Sequence, residues 1–452
     1  MLAHGRRFLF LQRAPAVNPR DQQSVAEHLL ERVRQVQIAL AWAGPPAAGY
    51  QGKFADLLDS MGLVEFLLQL AEDYGTTPEI IEQVVNRQFG TIRELADALI
   101  EKGLAPARKS QQPKTMLKPQ TAEGSAGQCW LVGSAVSLPR TVQSAKKIDR
   151  LINHPEGWLL ERTGIEQRRI WGDQDPLTEA AEAGRACLGQ AGSSTDEVGA
   201  LLVTTETPPL LVGLAAAIHQ RLGLAPDIAA LDIGGACTGF LAALWLARDL
   251  VGRTGSVLIV ALEAASKYLH LVPGPDGEFA ALFGDGAAAC LLRNQPAGDN
   301  PVLLNDVLLG TDGSGASLLK VTRWEKGSVS VEMMGKALSS RAVRTMAQAT
   351  VALTTKHGLD LSRLTAVITH GGNGRMPRLL ARQLGLHSEC VWSETASTGN
   401  LGSASLPVAW VLHGPVSLPV LWTAVGAGLT WGAAFTGDLA KEARSASEEH
   451  PR

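Results

Sequence analysis

The chain is short of cysteine, of aromatic residues and of net charge. Its 452 residues include only five cysteines, Cys129, Cys187, Cys237, Cys290 and Cys390, odd in number, scattered and without a C-x-x-C pair. That excludes a disulfide framework and a zinc site, and makes a reducing cytoplasm the natural compartment. Lys plus Arg number 41 against 44 Asp plus Glu, a net charge of -3, so the basic surplus of a nucleic-acid footprint is missing. Aromatic residues make up 5% and charged residues 19%, but 45% are hydrophobic, too many for a largely disordered chain. A long apolar run is missing at the N-terminus as well. After Arg6 and Arg7 only residues 8–11 are apolar, too few for a signal-peptide core, so no export is expected. Residues 401–437 lack Asp, Glu, Lys and Arg, yet Pro407, Pro415, Pro419, Gly426, Gly428 and Gly432 interrupt them. This predicts buried strands joined by tight turns, with no membrane span.

The length suits roughly three domain-sized units, and composition divides them. Residues 104–128 are rich in Pro, Lys, Gln, Ser and Gly without an apolar period, which reads as a flexible linker. Residues 1–21 are expected to be a poorly ordered segment, and 441–452 a C-terminal tail. Between residues 22 and 103, helices are predicted over 22–43, 59–74, 78–88 and 91–102. In the second, Val64, Leu67, Leu68 and Ala71 fall at i, i+3, i+4 and i+7. Pro78 suits a first helical turn, and Thr91 with Glu94 forms a capping-box pattern. A small helical bundle follows. Beyond the linker, predicted strands over 129–136, 200–205, 228–233, 256–262, 287–292, 364–369, 419–425 and 429–435 alternate with helical runs near 176–191, 213–222, 238–252, 336–357 and 376–384. That is an α/β body.

Three residues stand at glycine-rich breaks. Cys237 lies in LDIGGACTGF at 231–240, where a strand hands over to an apolar helix. The positive end of that helix is expected to favour the thiolate and lower the thiol pKa. A buried, inert core cysteine is the plainer alternative. His370 ends a strand and precedes Gly-Gly-Asn-Gly, where ligands collect in α/β folds; a satisfied core histidine is its alternative. Asn400, in STGNLGS at 397–403, either presents its amide to a carbonyl or braces a turn. Together a thiol, an imidazole and an amide suit acyl transfer through a thioester. Ser60 follows Asp59 at the head of an amphipathic helix, as an N-cap or as an exposed attachment point.

The first module, through LLDSMGLVEF at 57–66, resembles an acyl carrier protein over residues 22–103. The resemblance implies 4′-phosphopantetheine on Ser60, installed by a phosphopantetheinyl transferase. The second module resembles β-ketoacyl-acyl-carrier-protein synthase III over 129–440, through WLLERTGI at 158–165, GACTGF at 235–240, FGDG at 283–286, HGGNGR at 370–375, Gly399-Asn400 and GAGLTWG at 426–432. It implies the α/β thiolase fold, five layers built from two pseudo-repeated βαβαβ halves, here 129–300 and 301–440, in a homodimer. It implies a catalytic set of Cys237, His370 and Asn400, with the N–H groups of Cys237 and Ala427 as oxyanion hole. Trp158, Arg162, Asn373 and Arg375 fall at pantetheine and carrier-docking positions. Two departures stand out: Leu211 replaces a bulky Phe of the acyl tunnel, and Gly277 stands where an Arg would hold the adenine of coenzyme A against Trp158.

The implied function is decarboxylative condensation of an acyl thioester, on coenzyme A or a carrier, with a malonyl-type carrier thioester. The setting implied is polyketide or specialised fatty-acid biosynthesis. Acyl carrier proteins are the implied partners; no metal, nucleic acid or membrane is implied. One alternative is an acyltransferase of the same fold that does not decarboxylate. The other is a non-catalytic carrier scaffold.

Overall fold

The computed structural model describes residues 19–39, 60–74, 76, 81, 84, 91–104, 128–206, 213–325, 328–414 and 419–437. The chain divides into two compact units, Met1–Gln112 and Pro113–Arg452.

In the first unit three helices, Pro19–Ala39, Ser60–Asp73 and Ile92–Glu101, are described. Each buries one face: Leu29, Val33 and Val36, then Phe66, Leu67 and Leu70, then Ile92, Leu95 and Leu99, all in one core that also takes in Ile81 and Val84. The first helix begins at Pro19, earlier than the predicted start at 22. Thr91 caps the last, its Oγ1 accepting the Glu94 N–H at 3.3 Å. Asp73 ties the second helix to the first through His28 at 2.9 Å and through Arg32. Of the predicted 78–88 helix, only Ile81 and Val84 are among the described residues.

The second unit has fourteen strands among its described residues: β1 Trp130–Ser137, β2 Thr141–Ser144, β3 Gln167–Ile170, β4 Ala200–Thr204, β5 Ala229–Ile233, β6 Ser256–Ala264, β7 Asp285–Arg293, β8 Val302–Thr311, β9 Leu319–Glu325, β10 Ser328–Met333, β11 Ala366–Thr369, β12 Val391–Trp392, β13 Val420–Gly426 and β14 Thr430–Thr436. Ten of them form one sheet in the order β12, β11, β13, β14, β8, β1, β7, β6, β4, β5. In the first half β1 is antiparallel to β7 and β7 to β6, after which β6, β4 and β5 run parallel. In the second half β8 is antiparallel to β14 and β14 to β13, after which β13, β11 and β12 run parallel. The two halves therefore share one strand plan. They join where Trp130 and Leu131 pair with Leu303 and Val302.

Helices cover the strands on both faces, so the inner strands read as unbroken apolar runs; every residue of β6 is buried. The Gly239–Thr254 and Ser405–Leu412 helices lie between the halves, where Phe240, Leu244, Leu406 and Ala409 share a core with Leu202 and Ile259 of one half and Ile368 and Trp422 of the other. The Pro176–Gln190 and Leu214–Leu222 helices pack on the far face of the first half, and Gly335–Lys356 packs on β13 and β14 of the second. Five layers result.

Two sequence expectations change. Residues 401–437 are not strands alone, because Ser405–Leu412 is helical. It is apolar all round as a helix between two sheets must be, and Pro407 sits in its first turn, where the missing N–H costs little. β8 has no counterpart among the predicted strands, because Asn305 and Asp306 split its apolar run. Burial pushes the Asp306 carboxyl up, but His357 at 3.0 Å, Lys356 at 2.7 Å and Arg248 at 3.0 Å hold it below the ordinary carboxylate range. At the sheet's edge, β5 has no second strand partner among the described residues and leaves Leu231 exposed. No described helix is long and apolar enough to cross a membrane.

Candidate active site

Cys237 follows β5 through a turn that few residues tolerate. Gly235 has φ 127°, a region open to glycine, and Ala236 is held at φ 49°. The Oγ1 atoms of Thr238 (2.6 Å) and Thr430 (3.0 Å) both donate to the Gly235 carbonyl and fix the turn. A Cβ on Gly426, at the end of β13, would stand 3.0 Å from the Cys237 nitrogen. Backbone of the second half thus presses against the thiol's own residue, with Ala427 next in the chain.

His370 follows β11, its N–H donating to the Thr423 carbonyl of β13 at 3.1 Å. The ring is buried, with Nδ1 3.1 Å from Ser405 Oγ and a further hydrogen bond to the Gly402 backbone. Asn400 is pinned through its backbone to Leu282 and Gly284. Its Oδ1 accepts the Gly402 N–H at 2.8 Å. A backbone N–H can only donate, so this bond fixes which end of the amide is the oxygen, in a residue that lines the cavity beside the Cys237 turn.

Gly402 is the meeting point. Glu206, just past β4, approaches so closely that a Cβ on Gly402 would be 2.8 Å from its Oε1, and Glu263 of β6 would be at 3.0 Å. The carboxyl of Glu206 stands beside the Cys237 thiol. Glu263 accepts the Glu206 N–H at 3.0 Å and the Ser403 N–H and Oγ at 3.0 and 2.6 Å. Cys237, His370 and Asn400 are therefore gathered around one glycine.

The electrostatics reverse the expectation for the thiol. Burial and the Glu206 carboxyl, with Glu263 behind it, push the Cys237 pKa well above that of a free thiol. The helix end is there, but two carboxyls delivered by β4 and β6 outweigh it. Burial holds His370 down, to about 4, so its ring is neutral at physiological pH. The unfolded chain binds this proton near the ordinary value of 6.5 and the folded chain only near 4. Stability is therefore lost as pH falls between those values, by about 3 kcal/mol at most. In His370→Gln that part of a urea-midpoint profile against pH should flatten.

Beside the turn lies a cavity of about 370 Å³, lined by Gly234, Gly235, Ala236, Glu206, Glu263, Asn400 and Gly402, with apolar walls from Leu269, Phe279, Phe283, Leu319, Val321 and Val331. Apart from it, the Trp158–Thr163 helix meets the loop after His370. The Gly374 N–H donates to the Thr163 carbonyl at 2.7 Å, and Gly164 packs on Gly374 and Arg375. That sets the helix bearing Trp158 and Arg162 against the loop bearing Asn373 and Arg375. Arg162 stands 5.2 Å over the Trp158 ring, and His154 stacks on that ring at 4.0 Å. A side chain at Gly277 would overlap the Val272 carbonyl, so this backbone has no room there for an Arg.

Leu211 lies outside the described residues, and Ser60, the first residue of its helix, belongs to the other unit. Sequence reasoning passed over Glu206, Glu263, Gly402 and Ser405. Glu263 carried a signal, a lone acid ending the apolar run 257–262. Among the described residues no group of three His, Cys, Asp or Glu is placed to hold a metal ion.

Family models of 3-oxoacyl-(acyl-carrier-protein) synthase III and of its C-terminal part match residues 231–313 and 354–437. The chain is 32% identical over 327 residues to beta-ketoacyl-(acyl-carrier-protein) synthase III 2 of Vibrio cholerae, covering 68% of this chain and 88% of that protein. It is 33% identical to 3-oxopimeloyl-(acyl-carrier-protein) synthase of Rhodothermus marinus, covering 71% and 96%. The solved 3-oxoacyl-(acyl carrier protein) synthase III of Pseudomonas aeruginosa PAO1 superposes with a TM-score of 0.61 at 31% identity, over 68% of this chain and 97% of that one. The priming beta-ketosynthase of the R1128 polyketide pathway gives a TM-score of 0.59 at 28% identity, over 68% and 96%. The architecture of the second unit is the thiolase fold.

Proposed function

The chain belongs to the β-ketoacyl-(acyl-carrier-protein) synthase III family, and from that premise we propose that it is a carrier-fused ketosynthase of polyketide or specialised fatty-acid biosynthesis. Cys237 Sγ takes an acyl group from a thioester, while the N–H groups of Cys237 and Ala427 hold the oxyanion. A malonyl-type thioester then loses carbon dioxide, its enolate oxygen held by the His370 ring and the Asn400 NH2. The carbanion attacks the acyl-enzyme and leaves as a β-ketoacyl thioester. The observation that carries this reading is the gathering of thiol, imidazole and amide around Gly402, which with Asn400, Gly235 and Ala236 lines an apolar-walled cavity suited to an acyl chain.

Asn400 favours condensation over simple acyl transfer, because a transfer that releases no carbon dioxide has no enolate to hold. Labelled malonyl carrier decides between them: release of labelled carbon dioxide together with a β-ketoacyl product is expected. A protein that moves the acyl group and releases none is the transferase.

The first unit is proposed to be an acyl carrier bearing 4′-phosphopantetheine on Ser60. A helix starting at Ser60 and a compact apolar core support it. Intact-protein mass spectrometry after treatment with a phosphopantetheinyl transferase and coenzyme A tests the attachment. Fusion in one chain raises the effective concentration of the carrier at the ketosynthase, so the carrier competes well with free donors. Coenzyme A is the weaker donor in this reading, since His154 covers one face of Trp158 and Gly277 has no room for a clamping Arg. Arg162, Asn373 and Arg375 are left to receive the phosphate of a carrier arm. The open edge of β5, with Leu231 49% exposed, supports pairing with a second copy.

A further inference from the structure

One buried acid touches the nucleophile and has no part in the steps above. Glu206 leaves the end of β4, lines the cavity with Gly235 and Ala236, the two residues before Cys237, and stands beside the thiol, while its Oε1 is buried with no hydrogen-bond partner. A buried carboxyl oxygen without a partner is costly and calls for a role. His370 cannot serve the thiol as a base. Its ring is engaged by Ser405 and Gly402, and burial holds it too acidic to take a thiol's proton. A resting thiolate is disfavoured too, because burial and the Glu206 carboxyl beside the sulfur raise the thiol pKa.

We propose that Glu206 is a further catalytic residue of this site: it accepts the Cys237 proton as the sulfur is acylated, and returns that proton to the departing thiol. The proposal rests on the ketosynthase reading for its acyl donor. As Cys237 Sγ forms its bond to the thioester carbonyl carbon, the S–H proton passes to a Glu206 oxygen. The tetrahedral adduct then collapses, the bond from carbonyl carbon to donor sulfur breaks, and the proton moves from Glu206 to that sulfur. Acyl group and proton have changed places between two sulfurs, and the carboxylate is restored.

The neighbouring acid makes this workable. Two carboxyls this close do not both ionise readily. Burial and Glu206 push Glu263 well up, so Glu263 keeps the pair's proton. Glu206 is raised by burial too, but the thiol beside it pulls it back, and it is the member free to accept. The groups facing Glu206 are then Cys237 and Glu263, with His370 across Gly402.

Two rates measured on the full chain test the step, both read by peptide mass spectrometry at Cys237. One is single-turnover acylation by acetyl-coenzyme A and by an acetyl-pantetheine thioester, without any malonyl donor. The other is alkylation by iodoacetamide across pH. In Glu206→Gln, acylation should slow about 10²-fold, the usual contribution of a general base. Alkylation at pH 7 should instead speed up about tenfold, because removing the negative charge beside the sulfur brings the thiol pKa down. Opposite signs are the signature, since a merely collapsed site slows both. In Glu206→Ala, added formate should recover part of the acylation rate. Acylation of Glu206→Gln at the wild-type rate, or both rates falling together, overturns the proposal. If wild-type Cys237 is alkylated but never takes an acyl group, the ketosynthase reading fails and this step with it.

Discussion

Cys237→Ala protein, incubated with an acyl thioester, should gain no acyl mass, and its condensation rate should fall by about 10⁴-fold or more, as expected when a nucleophile is removed. No other thiol is placed to substitute: the half-buried Cys390 lies in the Ser388–Cys390 turn before β12, outside the cluster around Gly402. Cys129, Cys187 and Cys290 are buried in the core, with pKa values pushed up by burial, to about 12 for the first two. Decarboxylation of a malonyl thioester should survive in this variant. His370 and Asn400 are held by Ser405, Gly402, Thr423 and Leu282, none of which depends on the sulfur. Carbon dioxide release without product is the result to measure. An acyl-enzyme that still forms would show the nucleophile to lie elsewhere.

Asn400→Ala should do the reverse. The acyl-enzyme forms on Cys237 at close to the wild-type rate, and decarboxylation drops by about 10²- to 10³-fold, the cost of losing one donor to a developing oxyanion. Alanine also removes the acceptor for the Gly402 N–H, so Asn400→Asp is the companion variant, keeping that acceptor while losing the NH2 donor. His370→Ala should lower the same step. The double variant His370→Ala with Asn400→Ala should cost much less than the product of the two, because both donors serve one oxygen. Independent multiplication of the two losses would place the groups on different steps.

The eight strands read from the sequence all recur, because each is an apolar run, and all but the edge strand β5 are largely buried. The missed ones have reasons. In β8, Asp306 breaks the pattern with a charge that only folding supplies with Arg248, Lys356 and His357. β9 and β10 interleave charged and hydroxyl residues with their apolar ones, as in LKVTRWE and SVSVEM, and β2 and β3 are four residues each. At the site, Cys237, His370 and Asn400 were legible because glycines flank each of them. Glu206 sits in an ordinary Thr-Thr-Glu-Thr stretch, and nothing local says that its carboxyl will meet a thiol thirty-one residues on. The misjudged thiol acidity has the same origin. A helix end is visible in sequence, whereas the charge brought up by a neighbouring strand is a product of the sheet order.

That shared strand plan has a consequence for how such a centre is inherited. Each half offers two loop ends at the same positions: Glu206 after β4 and Cys237 after β5 in one, His370 after β11 and the Asn400 to Gly402 turn after β12 in the other. A doubled ancestor would have presented four such ends as two identical pairs. On the proposed reading the present chain divides the labour, with thiol and carboxyl on one copy and imidazole and amide on the other. Neither copy retains a workable centre alone, and new chemistry needs only a few loop side chains to change while every strand stays put.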